Sequence, residues 1–216
     1  MKSVLVIGAG QFGTHIAKRM EEFRCEVMAV DINEDCINDI MPYVTNAKIG
    51  DGTNEEFLRT LGIGDYDVCF VTLGSHFQTS LETTSLLSEL GAKQVISRAT
   101  NDVQMKFLLR NGADEVVYPE KQTALRIATK YASDNILDFF HLEQEYYIYE
   151  LKVPKEWHGK SLMQIDIRRK HNLNILTIKR DTEVIIPTAE TVVQPDDVAF
   201  VLGELRNIQK ILSSRR

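Results

Sequence analysis

The chain of 216 residues has no long hydrophobic run, no excess of positive charge and few cysteines. No apolar stretch approaches the roughly 18 residues of a membrane-spanning helix, so we expect any role at a membrane to be exercised from the water side. The net charge of −6 disfavours a nucleic-acid-binding surface, and we expect no nucleic-acid partner. Because no signal peptide precedes the first apolar run, we expect a cytoplasmic protein.

The three cysteines, Cys25, Cys36 and Cys69, are odd in number and lack the spacing of metal ligands. Reduced thiols are therefore expected, as is usual in the cytosol. The histidines also suggest no catalytic or metal-binding cluster, because His158 and His171 flank turns without an evident carboxylate partner. The apolar content of 44% is ample for a folded core.

The first thirty residues carry the most informative pattern. An apolar run over residues 4–7 is followed by Gly8, Gly10 and Gly13 in G-x-G-x-x-G spacing, then by a helical period. A second apolar run ends in Asp31. A strand, a glycine turn, a helix and a strand ending in an acid form the arrangement that binds dinucleotides.

Each part of this motif has a physical role. A phosphate can approach the backbone at Gly10, and the N-terminus of the following helix offers unpaired N–H groups to it. Gln11 and Phe12 complete the predicted binding turn. Asp31 can accept two hydrogen bonds from a ribose diol and would repel a 2′-phosphate. Since Ile32 and Asn33 supply no cation, we expect NAD or adenine nucleotides rather than NADP.

Later strand ends should add ligand contacts at the same edge of the sheet. Asp51 and Thr53, in the turn around Gly52, can contact an adenine edge. The alternative is a simple turn in which Thr53 caps a helix, with Glu56 completing a capping box. Gly74 again permits a close backbone approach, so this turn should pass near the ligand.

Two charged residues follow the last strands of the predicted sheet. Arg98 lies at a strand exit and can pair with a phosphate, or with a nearby acid in a surface ion pair. Glu120 would be unfavourable beside phosphates unless a divalent cation bridges them. Alternatively, Glu120 is an acid that a helix dipole stabilises.

The alternation of strands and helices predicts an α/β fold, a Rossmann-type doubly wound parallel sheet with a helical crossover and a small C-terminal α+β domain. We place the nucleotide-binding domain at residues 1–120 and the C-terminal domain at 143–216. Residues 121–142 are predicted to be mostly helical. Because the end of this segment is apolar around most of a helix, it is our candidate dimerisation and hinge element.

Several motifs together resemble the RCK family (regulators of K⁺ conductance), and most closely its cytosolic KtrA/TrkA-type subunits. The resemblance covers nearly the whole chain in order, and these motifs carry it: IGAGQFG, AVDIN, GDGT, GADEVVYPEK, GKSLMQIDIRRKHNLNILTIKR and PDDVAFVLG. It implies a non-catalytic gating subunit that controls K⁺ flux through a separate KtrB/TrkH-like membrane subunit. It also implies homodimers that assemble into an octameric ring beneath the membrane.

The resemblance implies that ATP, ADP and NAD(H) compete for the glycine turn, with AMP a further candidate. It also implies that Glu120 helps to hold Mg²⁺ or Ca²⁺ near a dimer interface. The positions that match nucleotide contacts in the family are Asp31, Ile32, Asn33, Asp51, Gly52, Leu73, Gly74, Ser75, Arg98, Ala99, Thr100 and Gln104.

One departure from the family concerns Gln11, which stands where KtrA-like proteins commonly have an arginine that reaches the phosphates. Gln11 lacks that charge, and a triphosphate would lose a charge-assisted contact of about 1.5–3 kcal/mol. The preference for ATP over ADP, AMP or NAD is therefore left open.

In some relatives the C-terminal domain binds cyclic di-AMP between two subunits. The corresponding residues here are Ile167, Arg168, Asn174, Ile175 and Pro187. Arg168 can pair with a phosphate, and Ile175 and Pro187 can flank a purine. The alternative is a surface arginine beside an ordinary hairpin core.

A different class of function is an NAD-dependent oxidoreductase or an NAD(H) redox sensor. An oxidoreductase needs an acid/base pair and a substrate pocket beside the nicotinamide. The C-terminal segment of about seventy residues is small for that purpose, so the regulatory subunit is the preferred hypothesis.

Overall fold

A computed structural model describes residues 1–74 and 76–213 of the chain. The chain divides into two compact units, Met1–Lys121 and Gln122–Arg216. Each unit has its own sheet and its own hydrophobic core. Across the described ranges, no helix combines the length and the apolar character that crossing a membrane requires.

The first unit is built on a parallel sheet of six strands in the order β3-β2-β1-β4-β5-β6. The strands are β1 (Ser3–Ile7), β2 (Glu26–Asp31), β3 (Asn46–Ile49), β4 (Val68–Val71), β5 (Val95–Arg98) and β6 (Glu115–Val117). The order reverses at β1, so the carboxyl ends of β1 and β4 border the crevice where such sheets bind ligands.

Helices follow the strands in alternation. They are α1 (Gln11–Glu22), α2 (Glu34–Ile40), α3 (Glu55–Arg59), α4 (Phe77–Glu89), α5 (Asp102–Arg110) and α6 (Pro119–Tyr131). The helix α6 begins in the first unit and continues into the second.

The alternation of side chains along β1 explains why this strand is central. Val4 and Val6 belong to one buried cluster, whereas Leu5 and Ile7 belong to another. All four are at most 1% exposed, which shows that both faces of the sheet are covered. Full burial of such a side chain stabilises the fold by about 1.5–3 kcal/mol, so β1 is a firm base for the turn that follows it.

The second unit contains an antiparallel sheet in the order β10-β9-β11-β8-β7. Its strands are β7 (Ile136–Glu143), β8 (Tyr146–Lys152), β9 (Asn174–Arg180), β10 (Glu183–Ile185) and β11 (Val198–Glu204). Its α-helices, apart from residues 122–131 of α6, are α7 (Leu162–Ile165), α8 (Ile167–His171) and α9 (Leu205–Ser213). The predicted α/β class, with a doubly wound sheet and a small α+β unit, is confirmed.

The predicted helix over residues 121–142 is wrong in its second half. The helix α6 ends at Tyr131, and residues 136–143 form the edge strand β7. In this strand Phe139 lies opposite Tyr149, with 6.1 Å between the ring centroids. A run that is apolar on every side fits a strand as well as a helix, and cross-strand aromatic contacts favoured the strand. The dimerisation and hinge role of the segment stays a prediction.

The most buried ion pair of the second unit joins the end of β9 to the turn before β11. Arg180 donates from Nε and Nη2 to the two carboxylate oxygens of Asp197, each at 2.8 Å. The backbone N–H of Gln194 also donates to Asp197 at 2.8 Å. Burial alone would raise the pKa of Asp197, but the hydrogen bonds from Arg180 and Gln194 outweigh it, and the pKa is lowered.

We predict that Asp197→Asn lowers the free energy of unfolding of the second unit by about 3 kcal/mol at neutral pH, because one partner of a buried pair is lost. Since the folded pKa of Asp197 lies below the unfolded value, its contribution is present above about pH 4 and is lost as the pH falls through the folded pKa. The variant should therefore lose less stability on acidification than the wild type. Urea titrations followed by the fluorescence of Trp157, the only tryptophan, measure this unit.

Glu190→Gln is the matched control, because it removes an exposed carboxylate from the same unit. Its unfolding free energy should stay within about 0.5 kcal/mol of the wild type. Equal stability of Asp197→Asn and the wild type at neutral pH would show that the pair contributes nothing.

Candidate functional site

The glycine turn between β1 and α1 has the close packing that its motif predicts. Gly8 has a φ of +103°, a conformation that favours glycine. A Cβ atom at Gly13 would lie 2.0 Å from the carbonyl oxygen of Gly8, so no larger residue fits there. A Cβ atom at Gly10 would meet nothing within 4 Å. The turn is thus tight on its inner side and open at Gly10, where a phosphate is expected.

The carboxylate of Asp31 ties this turn to the end of β2. Its Oδ2 accepts a hydrogen bond of 2.7 Å from the backbone N–H of Ala9. Its Oδ1 accepts one of 2.8 Å from the N–H of Asn33. A carboxylate has about four acceptor positions, so two remain for a ribose diol. The side chain of Asn33 caps α2, accepting a hydrogen bond from the N–H of Asp35.

Sequence reasoning missed Thr72, which supports the turn from the neighbouring strand end. Its Oγ1 lies 2.5 Å from the carbonyl oxygen of Gly8 and 3.1 Å from that of Ile7, and the hydroxyl can donate to either. A Cβ atom at Gly8 or Gly13 would come within 3 Å of this hydroxyl. A polar residue directly after the apolar run of β4 was the available signal.

The turn after β3 is closed by its own side chains. Asp51 Oδ1 accepts hydrogen bonds from the backbone N–H and the hydroxyl of Thr53, at 2.9 and 2.8 Å. Gly52 is buried, and a Cβ atom there would lie 2.7 Å from Ile7. The predicted alternative of a Thr53 cap is wrong, because the side chain of Asn54 accepts the capping hydrogen bond of α3. The adenine contacts of Asp51 and Thr53 stay a prediction.

The ends of β4 and β5 bring four predicted residues together. A Cβ atom at Gly74 would lie 3.2 Å from Arg98 and 3.3 Å from Thr100. The backbone N–H and the hydroxyl of Thr100 donate to Oε1 of Gln104, at 2.7 and 2.8 Å. Gln104 is only 7% exposed, so in this conformation it positions Thr100.

Arg98 is held between the glycine turn and α6. Its Nη2 forms an ion pair with Oε1 of Glu120, and its guanidinium carbon lies 5.3 Å from the ring centroid of Phe12. Of the two alternatives for Arg98, a phosphate contact and an ion pair with a nearby acid, the structure shows the ion pair. The acid is Glu120, which is itself a predicted site residue, so the ion pair lies within the predicted site. The Nε atom of Arg98 is buried without a hydrogen-bond partner among the described residues.

Glu120 lies in the first turn of α6. A hydrogen bond from its own backbone N–H, and then the bond from Arg98, hold the pKa of Glu120 below its usual value against the opposing effect of desolvation. Its carboxylate is therefore charged at neutral pH. Within residues 1–74 and 76–213, no group of three or more metal-binding side chains is assembled. The metal role of Glu120 stays a prediction.

The remaining predicted residues differ in accessibility. Ile32 is 71% exposed, and Leu73 is half-buried against the core. Ala99 is fully buried, and its backbone N–H donates to the carbonyl of Val117, so its side chain is not available to a ligand. Ser75 lies outside the described residues.

A cavity of about 620 Å³ adjoins the glycine turn on the side of α1 and α2. Gln11 contributes to its wall, and so does Lys18, whose Nζ lies 4.0 Å from the ring centroid of Tyr43. The lining residues are Ala9, Gly10, Gln11, Thr14, His15, Lys18, Cys36, Asp39 and Tyr43. Because Gln11 is neutral, Lys18 is the formal positive charge of this cavity.

The second unit has its own cavity, of about 600 Å³, lined by α7, α8, the start of β9 and residues 187–189. Arg168 Nη2 donates to Asn174 Oδ1 at 2.5 Å in its wall. All five residues predicted for a second ligand line it: Ile167, Arg168, Asn174, Ile175 and Pro187.

Comparison with known proteins identifies the class of protein that carries this fold. Residues 4–119 match the model of the TrkA-N domain, and residues 146–214 match that of the TrkA-C domain. The chain is similar in fold to a crystal structure of the GsuK RCK domain, with a TM-score of 0.65 and 17% identity. That comparison covers 98% of this chain and 47% of the other.

Two relatives from Bacillus subtilis (strain 168) are similar over nearly their whole length. Ktr system potassium uptake protein C is 39% identical over 97% of this chain and 95% of the relative. Ktr system potassium uptake protein A is 34% identical over the same shares. The chain therefore belongs to the RCK-type TrkA/Ktr family of potassium-uptake proteins, which confirms the resemblance found in its motifs.

We predict that Gly13→Ala and Gly10→Ala differ sharply in stability. The first places a methyl group against the Gly8 carbonyl and should lower the free energy of unfolding by about 1–3 kcal/mol. The second enters open space and should change it by no more than about 0.5 kcal/mol. Urea unfolding of the two variants by circular dichroism checks this, and equal stabilities would mean that the turn is not packed as described.

Proposed function

We propose that this protein is the nucleotide-binding regulatory subunit of a potassium uptake system. It would control K⁺ flux through a separate membrane subunit by a ligand-dependent rearrangement of an oligomer. The observation that carries the proposal is the pairing of the open glycine turn with Asp31, in a chain of the TrkA/Ktr family. We assign no catalytic residue, because ligand binding is the proposed activity.

The residues present suit an adenine nucleotide. Gly10 leaves space for a phosphate, and the first N–H groups of α1 have no intrahelical acceptor. The two free acceptor positions of Asp31 suit the hydroxyls of a ribose, as in NAD(H), ATP, ADP or AMP. Arg98 supplies a positive charge at the same edge of the sheet. The neutral Gln11 argues against a strong preference for the triphosphate.

We further propose that Glu120 holds Mg²⁺ or Ca²⁺ beside the phosphates of the bound nucleotide. An oxygen-rich set of a carboxylate and phosphates suits both cations. The low pKa of Glu120, caused first by its own backbone N–H and then by Arg98, keeps the carboxylate charged and available as an acceptor.

The proposed assembly is a homodimer that builds an octameric ring on a KtrB/TrkH-like membrane subunit, at the cytoplasmic face of the membrane. Within the second unit, α6 and β7 expose several large apolar side chains, a feature that commonly marks protein contact surfaces. They are Leu125, Ile127, Tyr131, Phe140 and Leu142. This supports the element around residues 121–142 as a dimer contact, although part of it is a strand.

A second ligand is proposed for the cavity of the second unit. Ile167 and Ile175 are buried at its base, and Pro187 borders it, so a purine can be packed between apolar groups. Arg168 adds a charge for a phosphate. This combination suits cyclic di-AMP, which has two purines and two phosphates.

We predict that Asp31→Asn weakens the binding of ADP, ATP and NADH by about 10- to 100-fold. The loss of a charged acceptor for the ribose corresponds to about 1.5–3 kcal/mol. Isothermal titration calorimetry measures the affinities. In cells without their own potassium uptake, co-expression with a membrane subunit then shows whether nucleotide control of K⁺ flux is also lost.

Asp35→Asn is the control, since it removes a nearby exposed carboxylate of α2 and should bind like the wild type. Undiminished binding by Asp31→Asn would overturn the assignment of Asp31. A wild-type protein that binds none of these nucleotides would overturn the proposed function itself.

For the second cavity, we predict that Arg168→Ala reduces the affinity for cyclic di-AMP by about 10- to 100-fold, because a charge-assisted contact to phosphate is lost. Lys170→Ala removes an exposed charge from the same helix and serves as the comparison. Calorimetry measures the affinity for cyclic di-AMP, and a parallel titration with ATP shows whether the nucleotide site of the first unit is unaffected. Equal effects of both substitutions would indicate only a loss of surface charge.

A further inference from the structure

We propose that Glu120 is a specificity-determining residue, an internal competitor that occupies Arg98 until a ligand phosphate displaces it. The inference rests on the proposed nucleotide site and concerns which ligands that site accepts. In this role Glu120 acts against binding before any cation is present. A residue that served only as a metal ligand would leave metal-free binding unchanged.

The position of Arg98 supports a competition between Glu120 and a ligand phosphate for its guanidinium group. Its guanidinium lies 5.3 Å from the ring centroid of Phe12, in the first turn of α1. Its side chain also packs on the backbone of Gly74, where an added Cβ atom would lie 3.2 Å away. These contacts hold the guanidinium beside the glycine turn, so a phosphate at Gly10 and the carboxylate of Glu120 would compete for one group.

The hydrogen bonds of Arg98 explain why a phosphate can win this competition. Of the Arg98 donors, Nη2 is the one that bonds to Glu120, and the buried Nε of Arg98 has no partner among the described residues. A buried donor without a partner is energetically unfavourable. A phosphate can accept from Nε and Nη2 together, in the bidentate geometry that arginine favours. The phosphate therefore satisfies a donor that Glu120 leaves unpaired.

The consequence is selection by charge. A ligand without a phosphate at Arg98 leaves the ion pair with Glu120 intact and receives no binding energy from Arg98. A phosphorylated ligand must first displace Glu120, so its apparent affinity is its intrinsic affinity multiplied by the fraction of molecules in which the pair is open. Lys121 keeps its own ion pair with Asp102, at 2.6 Å, so the start of α6 stays linked to α5 when Glu120 is displaced from Arg98 at the end of β5.

The test uses calorimetric titrations of the full chain with ADP and with adenosine, in EDTA so that no divalent cation contributes. Glu120→Gln and Glu120→Ala should bind ADP about two- to fivefold more tightly than the wild type, the range that one partly exposed ion pair supports. Glu120→Ala should show the larger effect, because the glutamine retains a neutral acceptor. Adenosine affinity should be unchanged in both.

Asp102→Asn is a closely matched control. It changes the net charge by the same one unit and removes the neighbouring ion pair to α6, but the partner of Asp102 is Lys121, whereas that of Arg98 is Glu120. Its affinity for ADP should equal that of the wild type. If Asp102→Asn also binds ADP more tightly, the gain in affinity comes from the change in net charge and not from release of Arg98. That result would overturn the proposal.

Unchanged or weaker binding of ADP by both Glu120 variants, with circular dichroism showing an intact fold, would also overturn it. The weaker result would mean that Glu120 supports the ligand directly. These outcomes differ from failure of the proposed function, in which the wild type itself binds neither ADP nor ATP nor NADH.

Discussion

The hydrogen bond from the backbone N–H of Ala9 to the carboxylate of Asp31 is the contact on which the proposed binding edge depends. It joins the glycine turn to the end of the adjacent strand at a distance of 2.7 Å. The same side chain thereby fixes the turn and would supply acceptors for the proposed ribose. Thr72 holds the other side of the turn through the carbonyl oxygens of Gly8 and Ile7. The proposed phosphate and ribose positions are thus built from one small hydrogen-bonded unit.

Around this unit, polar side chains are used largely to position one another. Gln104 holds Thr100, Asp51 holds Thr53, and Arg98 is paired with Glu120. A binding edge whose groups are already hydrogen bonded is preorganised, because little conformational entropy remains to be lost when a ligand arrives. The buried Nε of Arg98 is an exception, since it has no partner among the described residues, and such a donor indicates a position where a further acceptor would be stabilised.

The features that could be predicted from the sequence depend on local patterns. The glycine spacing, the buried strand before it and the acid at the end of the next strand are all encoded within residues 3–31, and all are present. Residues 136–143 were misassigned, because their apolar run fits either a strand or a helix until the pairing with β8 is known. The pairing of Arg98 with Glu120 joins positions 22 residues apart, which no local pattern specifies. Thr72 was visible as a polar residue directly after β4, but its partners Ile7 and Gly8 lie 65 and 64 residues away in sequence, so its role was missed.

A regulatory subunit responds to a ligand only through a difference in the ligand's affinity for two states. Under the competition we propose, the pair of Arg98 and Glu120 would provide such a difference, since the carboxylate and a phosphate cannot both neutralise the same guanidinium. Glu120 belongs to the first turn of α6, the helix that continues into the second unit. When a phosphate replaces Glu120 as the partner of Arg98, the start of α6 would lose its ion pair with the end of β5. Binding and regulation would then depend on the same ion pair, without any separate relay between them.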